Sequence, residues 1–291
     1  MPDYAYRLVN VFAESTLAGN PLCVFEDGRG LDDAELQAIA LQFNLSETTF
    51  VLPSASATAR VRIFTPTSEM AFAGHPTLGT AHVVRALTGT GDAVTLEMRA
   101  GTIPVSASGD VWTLDANAPK HRAATATRAQ IAAMLGLAES DLADAKRAPP
   151  LWVDTGNEQL VIPIATADAV RRAQPRSDLL AAHGSNGTRS MAYLWAPDPA
   201  RGRTADTAEP ILARFFFPKH GSVIEDPGTG SACANLGGWL LATGAALPSR
   251  KTIHQGEAVG RPCRLDLEVT AERRIRVSGR VIELGRGTIR L

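Results

Sequence analysis

Residues 6–12 alternate in the manner of a strand, with Leu8, Asn10 and Phe12 on one side. Gly19-Asn20-Pro21 marks a turn, and residues 22–25 follow as a second short strand. The period then changes. Leu36, Ile39, Ala40 and Phe43 fall at i, i+3, i+4 and i+7, which predicts an amphipathic helix. Asp32 and Glu35 have the spacing of a capping box at its start, and Asn44 can end it in the left-handed region. Residues 48–52 and 59–64 are β-branched and alternating, hence strands.

A second helix is predicted from Pro76, a residue suited to a first helical turn, to a C-cap at Gly89. Its apolar residues, Leu78, Ala81, Val83, Val84, Ala86 and Leu87, spread around much of the helix. Such a helix belongs among strands and not on a surface. Strand character returns at 94–98, 103–107 and 111–114, so the first unit reads as a sheet wrapped around a central helix. The pattern breaks near Ala116-Asn117-Ala118-Pro119-Lys120 and then repeats. Thr127 and Gln130 resemble another capping box, ahead of Ile131, Met134 and Leu135. Strands are expected at 151–153 and 159–164 around a Gly156-Asn157 turn, and at 190–195 and 213–217. A small-residue helix follows at 230–241, with Gly244 near its end. The last strands are expected at 264–269, 275–278 and 281–284. This is an α+β pattern with a weak internal repeat of about half the chain, too long for a solenoid.

Composition narrows the function classes. With 291 residues the chain is long enough for two domains, and 45% hydrophobic with 20% charged residues is an ordinary globular balance. A net charge of −1 argues against nucleic acid or an anionic membrane as the main partner. Cys23, Cys233 and Cys263 are odd in number and widely spaced, which disfavours a disulfide framework or a C-x-x-C zinc site. The start, Met1-Pro2-Asp3-Tyr4, lacks a basic n-region with an apolar run, and no stretch approaches a membrane span of about 18 apolar residues. A cytoplasmic protein is expected.

The candidate chemistry gathers at two turns. Ala73-Gly74-His75-Pro76-Thr77-Leu78-Gly79-Thr80 and Glu225-Asp226-Pro227-Gly228-Thr229-Gly230-Ser231-Ala232 each open a small-residue helix. Helix starts present unpaired N–H groups and the positive end of the dipole, and glycine permits close approach, so the two turns together make a candidate anion clamp. Each also carries a proton-handling side chain. His75 can shuttle a proton or simply satisfy backbone groups in its turn. Asp226 can act on a ligand, or cap the helix or form an Asx turn. Thr229, Gly230 and Ser231 offer donors suited to a carboxylate or phosphate, but the run lacks the lysine and spacing of a P-loop. Glu47, at the head of an apolar strand, is either a partly desolvated acid–base carboxylate with a raised pKa or a surface glutamate at a strand edge. Cys233 reads as a small core residue on a buried helix in preference to a nucleophile.

These segments in order resemble the PhzF-like isomerases of phenazine biosynthesis, within the diaminopimelate epimerase-like fold. The resemblance rests on Val9-Asn10-Val11-Phe12 through Gly19-Asn20-Pro21, on Asn44-Leu45-Ser46-Glu47-Thr48-Thr49-Phe50, on the two turns, and on Gln255-Gly256 with Gly260-Arg261-Pro262. It implies two similar domains, each a curved, mostly antiparallel sheet or barrel around a central helix, with the site in the cleft between them. The first would span 1–116, completed by a C-terminal strand at about 280–291, and the second 117–279. It implies Glu47 as the acid–base residue, assisted by His75 and Asp226, with Asn20, Ser46, Gly74, Gly156, Gly230 and Ser231 as substrate contacts. It further implies no cofactor, no metal and a homodimer. Epimerases of this fold carry a cysteine in each turn; here those positions hold Ala73 and Pro227, which cannot move protons. The expected function is therefore a cofactor-independent isomerisation of a small carboxylate-bearing substrate, similar to trans-2,3-dihydro-3-hydroxyanthranilate. An amino-acid epimerase or racemase with non-cysteine bases, or a non-catalytic ligand-binding protein on the same scaffold, are the alternatives.

Overall fold

The computed structural model describes residues 1–202, 208–219 and 221–291. They form two compact units, one of residues 1–115 with 278–291 and one of residues 116–277.

The first unit contains β1 (Asp3–Val11), β2 (Asn20–Phe25), α1 (Asp33–Phe43), β3 (Thr48–Leu52), β4 (Ala59–Phe64), β5 (Glu69–Met70), α2 (Gly74–Thr88), β6 (Ala93–Met98), β7 (Gly101–Ser108) and β8 (Val111–Asp115). The second contains β9 (Lys120–Ala123), α3 (Arg128–Leu135), β10 (Leu151–Asp154), β11 (Gln159–Pro163), α4 (Ala167–Arg172), α5 (Ser177–His183), β12 (Ala192–Pro197), β13 (Glu209–Lys219), β14 (Ser222–Asp226), α6 (Gly230–Ala242), β15 (Ser249–Gln255) and β16 (Cys263–Val269). The last strand, β17 (Ile275–Arg290), starts in the second unit and returns the chain to the first.

The first unit is a closed ring of strands. Pairing runs β17–β1–β2–β3–β4–β6–β7–β8 and back to β17, parallel at β2–β3 and β4–β6. The strands enclose α2, whose Leu78, Ala81, Val83 and Val84 are all fully buried. Strand alternation divides the side chains between two cores. On β2, Leu22 approaches α2, while Cys23 and Phe25 face the other way into a cluster with Leu36 and Ile39 of α1. Phe25, Phe43, Phe50, Phe64 and Tyr6 fill that outer cluster with stacked and edge-on ring contacts. The helix caps are as expected: Asp32 and Glu35 form a full capping box, and Asn44 ends α1 in the left-handed region.

The second unit repeats this plan. Its strands pair in the order β9–β10–β11–β12–β13–β15–β16, parallel at β11–β12 and β13–β15. Helix α6 lies against β9, β10, β11 and β16. A separate core, including Trp152, Leu160, Ile162 and Leu194, lies with α3, α4 and α5. The α+β expectation is met, with a curved sheet around one central helix in each half.

Sequence reading fell short at several elements. The strands expected at 275–278 and 281–284 are one strand, β17. Gly279 interrupts the apolar pattern without ending the strand, because the ring of Phe12 occupies the space of its missing Cβ, 2.3 Å from where that atom would sit. Strands β5, β9, β14 and β15 and helices α4 and α5 went unpredicted. The four-residue β9 is fully exposed, so it shows no apolar alternation, and α4 has only six residues.

Close packing of the central helix needs glycine. A Cβ at Gly79 would lie 2.6 Å from Leu22 Cδ2 and 2.9 Å from Val11 Cγ2. Both neighbours are fully buried in paired strands and cannot retreat. Overpacking of this kind costs about 1–3 kcal/mol. Gly79→Val should fall at or above the upper end of that range in chemical denaturation; a variant as stable as the wild type would show that the ring of strands can widen.

Candidate active site

The strand register brings three of the expected side chains together. Glu47 directly precedes β3. On β3, Thr49 bonds Thr80 of α2, with the two hydroxyl oxygens 2.8 Å apart. Two residues earlier the side chain returns to the same face, so Glu47 stands beside the first turn of α2. Its Oε2 lies 3.4 Å from Nε2 of His75, the second residue of that helix; the two side chains are 15% and 7% exposed. Asn20, the first residue of β2, is fully buried and places Nδ2 3.5 Å from Nδ1 of the same ring. The imidazole thus has Asn20 at Nδ1 and the Glu47 carboxyl group near Nε2. Gly74 is buried at the first position of α2, and Ser46 is exposed just before Glu47.

Burial decides the charge of His75. Desolvation pushes its pKa down to about 3, opposed only by a hydrogen bond to the Pro21 carbonyl. At neutral pH the ring is therefore an uncharged imidazole with one N–H and one lone pair. A ring in that state can pass or accept a proton from a neighbouring carboxyl group, and it adds no fixed positive charge to the site.

In the second unit, Asp226 ends β14 and accepts a hydrogen bond from the Thr229 hydroxyl. Gln255 supports this turn: its Nε2 donates to the Asp226 carbonyl and to Thr229 Oγ1, each at 2.9 Å, and its Oε1 accepts from the Thr229 amide. Gly256 then takes φ +79°, and a Cβ there would sit 2.4 Å from the Pro227 carbonyl oxygen, so only glycine lets the two turns meet. The neighbouring Glu225 points to the other face, paired with Arg214 at 2.7 Å. Gly230 and Ser231 are the first two residues of α6. Ser231 Oγ receives a hydrogen bond from Gln159 Nε2 at 2.9 Å. Gly156, at φ +126°, lies in the turn just before Gln159, its amide bonded to Asp154 Oδ1. Sequence reasoning missed Gln159, Asn235, Thr155 and the role of Gln255. One signal was present: Asn235 is a lone amide in an otherwise small and apolar helix.

All three cysteines are free and buried. Burial pushes each thiol well above its ordinary pKa, so the thiolate is disfavoured. Cys233 faces the core, as expected. Ala73, the N-cap of α2, provides no side-chain cap, and Pro227 follows β14. Among the described residues, no three His, Cys, Asp or Glu side chains gather in a way that could hold a metal, and no helix is long and apolar enough to cross a membrane.

Residues 9–287 match the model of the PhzC-PhzF family, described as phenazine biosynthesis-like protein. The chain belongs to this family. It is 38% identical over 302 residues to the uncharacterized isomerase PM1503 of Pasteurella multocida, covering 99% of this chain and 95% of the relative. It is 33% identical over 294 residues to the trans-2,3-dihydro-3-hydroxyanthranilate isomerase of Pseudomonas fluorescens, covering 98% of each. A solved PhzF-family protein from Bacillus anthracis shares the fold with a TM-score of 0.88 over the full length of both chains, at 24% identity. This PhzC-PhzF protein is accordingly an isomerase.

The buried state of His75 has a measurable consequence. Its folded pKa of about 3 lies below the ordinary value near 6.5. Between those values the unfolded chain binds the extra proton, so stability rises with pH. The contribution is complete above about pH 6.5 and is lost as pH falls toward 3, at about 1.4 kcal/mol per pH unit. Urea unfolding of the wild type and His75→Gln from pH 7 to pH 5 should show the variant's curve flatter by roughly that slope. Parallel curves would mean that His75 is protonated as easily in the folded protein as outside it.

Proposed function

We propose that this protein is a cofactor-independent isomerase that moves a proton by general acid–base catalysis. Its substrate would be a small, carboxylate-bearing, unsaturated compound similar to trans-2,3-dihydro-3-hydroxyanthranilate. The observation that carries this reading is the Glu47 carboxylate, largely buried, 3.4 Å from a neutral His75. The relative from Pseudomonas fluorescens, which bears that compound in its name, supports the choice of substrate class.

In the proposed step the Glu47 carboxylate removes a proton from one carbon of the substrate. The electron pair left behind shifts along the unsaturated system. The resulting carboxylic acid returns the same proton to another carbon. Bonds and charge balance, because one C–H bond breaks, one forms and a double bond migrates. Neutral His75 beside Glu47 can hold the carboxyl group in place through either protonation state, since imidazole is both donor and acceptor. Asn20 keeps that ring oriented. Asp226 and Ser231 are assigned to assist proton movement and to hold substrate. Ser46, Gly74, Gly156 and Gly230 are kept as substrate contacts. The buried thiols and the residues Ala73 and Pro227 give no support to two-base epimerisation by thiolates.

The test is turnover in D₂O followed by NMR, with dihydro-hydroxyanthranilate compounds and amino acids as substrates. Double-bond migration is expected; inversion of configuration without migration would favour an epimerase. Glu47→Gln keeps the shape but cannot carry a proton. General acid–base catalysis contributes roughly 10²–10⁴-fold, so turnover should fall at least that far while affinity changes little. Near-normal turnover in Glu47→Gln, with Asp226→Asn inactive, would move the base to the second unit.

A further inference from the structure

A chain of buried hydrogen bonds in the second unit has a fixed direction. It starts at Asn235, fully buried on α6. Asn235 Oδ1 accepts from the Thr155 backbone amide at 3.0 Å and from the Thr155 hydroxyl at 2.7 Å. Asn235 Nδ2 donates to the Asn157 carbonyl at 2.8 Å. A backbone N–H can only donate and a carbonyl can only accept, so both ends of this amide are set by main chain and it cannot flip. The second hydrogen of Nδ2 goes to Gln159 Oε1, at 2.8 Å. Gln159, only 1% exposed, is thereby oriented as well, and its Nε2 donates to Ser231 Oγ at 2.9 Å. Ser231 receives a hydrogen bond at that oxygen and cannot send its own proton back along it.

From this we infer that Thr155, Asn235 and Gln159 are positioning residues that hold Ser231 as a hydrogen-bond donor toward a bound carboxylate. The inference deepens the functional reading above and rests on it for the ligand class. The repeat supports it independently. In the first unit the first residue of β2, Asn20, sets its amide against the second residue of α2, His75. In the second unit the first residue of β11, Gln159, sets its amide against the second residue of α6, Ser231. The two halves keep one device, an amide at a strand start that orients the side chain of a helix start. With one of its two lone pairs engaged by Gln159, Ser231 has its O–H directed away from that bond, and a carboxylate presents only acceptors to it.

The decisive substitution is Gln159→Glu, which keeps the shape and reverses one polarity. The introduced carboxylate still accepts from Asn235, but it also accepts from Ser231, drawing the serine proton inward. Anthranilate serves as the carboxylate probe, with affinity measured by calorimetry at pH 8 and pH 5. Loss of one hydrogen bond to a charged group weakens binding roughly tenfold or more. Gln159→Glu and Ser231→Ala should each show such a loss at pH 8. The double variant should lose little beyond Ser231→Ala, which separates the relay from direct charge repulsion. Affinity of Gln159→Glu should recover as the introduced carboxyl protonates and donates again. A ligand-free measurement reads the relay itself. With ¹⁵N-glutamine labelling, Ser231→Ala should shift the Gln159 side-chain amide signals. Wild-type affinity in Gln159→Glu, or a double variant that loses as much again, would overturn the carboxylate donor. A Gln159 amide indifferent to Ser231→Ala would overturn the relay. If anthranilate fails to bind the wild type while that amide remains tied to Ser231, the substrate reading fails and the relay stands.

Discussion

The first N–H groups of the two central helices have no partner within the helix, and the placing of these helix starts organises both halves of the protein. The starts of α2 and α6 receive no side-chain cap from Ala73 or Thr229. Caps of the usual kind occur elsewhere in the chain, at Asp32 and Thr127, where the helices lie on the outside of the strands. An uncapped, enclosed helix start costs stability unless something else offers acceptors. Everything that positions the candidate chemistry follows from where those two starts sit. Glycine at position 79 lets the strands approach α2, and the parallel pairing of β2 with β3 sets Asn20 and Glu47 beside its first turn.

The first unit then differs from the second in what it does at the same place. His75 is buried deeply enough to stay neutral, and the partner it meets is a carboxylate. Ser231 cannot ionise in the working range, and the partner it meets is a carboxamide. At these two matching positions, then, one side chain can exchange a proton and the other can give a hydrogen bond without losing its proton. Duplicated architecture with diverged side chains places a histidine beside a carboxyl group at one helix start and a hydrogen-bonded hydroxyl at the other.

What could be read from the sequence was local. Capping boxes at Asp32 and Thr127 and the left-handed stops at Asn44 and Gly89 depend on a few adjacent residues, and all four are present. The strand at Thr48–Leu52 is β-branched and apolar throughout and was bounded correctly. What could not be read was set by distant contacts. Nothing near Gly279 announces that the ring of Phe12 will fill the space of its side chain and let β17 run on. The candidate site divides in the same way. Gly74, His75, Asp226 and Ser231 stood out because their turns have a recognisable composition. Gln159 and Asn235, 76 positions apart, became visible only through the bond between them.

That distance also says what kind of polar network this is. A buried amide left half satisfied costs about 1–3 kcal/mol. Asn235 escapes that cost because Thr155, Asn157 and Gln159 take both of its donors and its acceptor. A leucine at position 235 would leave the Thr155 amide, the Asn157 carbonyl and Gln159 Oε1 without their partner, each at a cost of the same order. The network also has a direction: the Asn235 amide accepts from the main chain at one end and donates at the other, carrying a fixed polarity from β10–β11 to the side chain of Ser231.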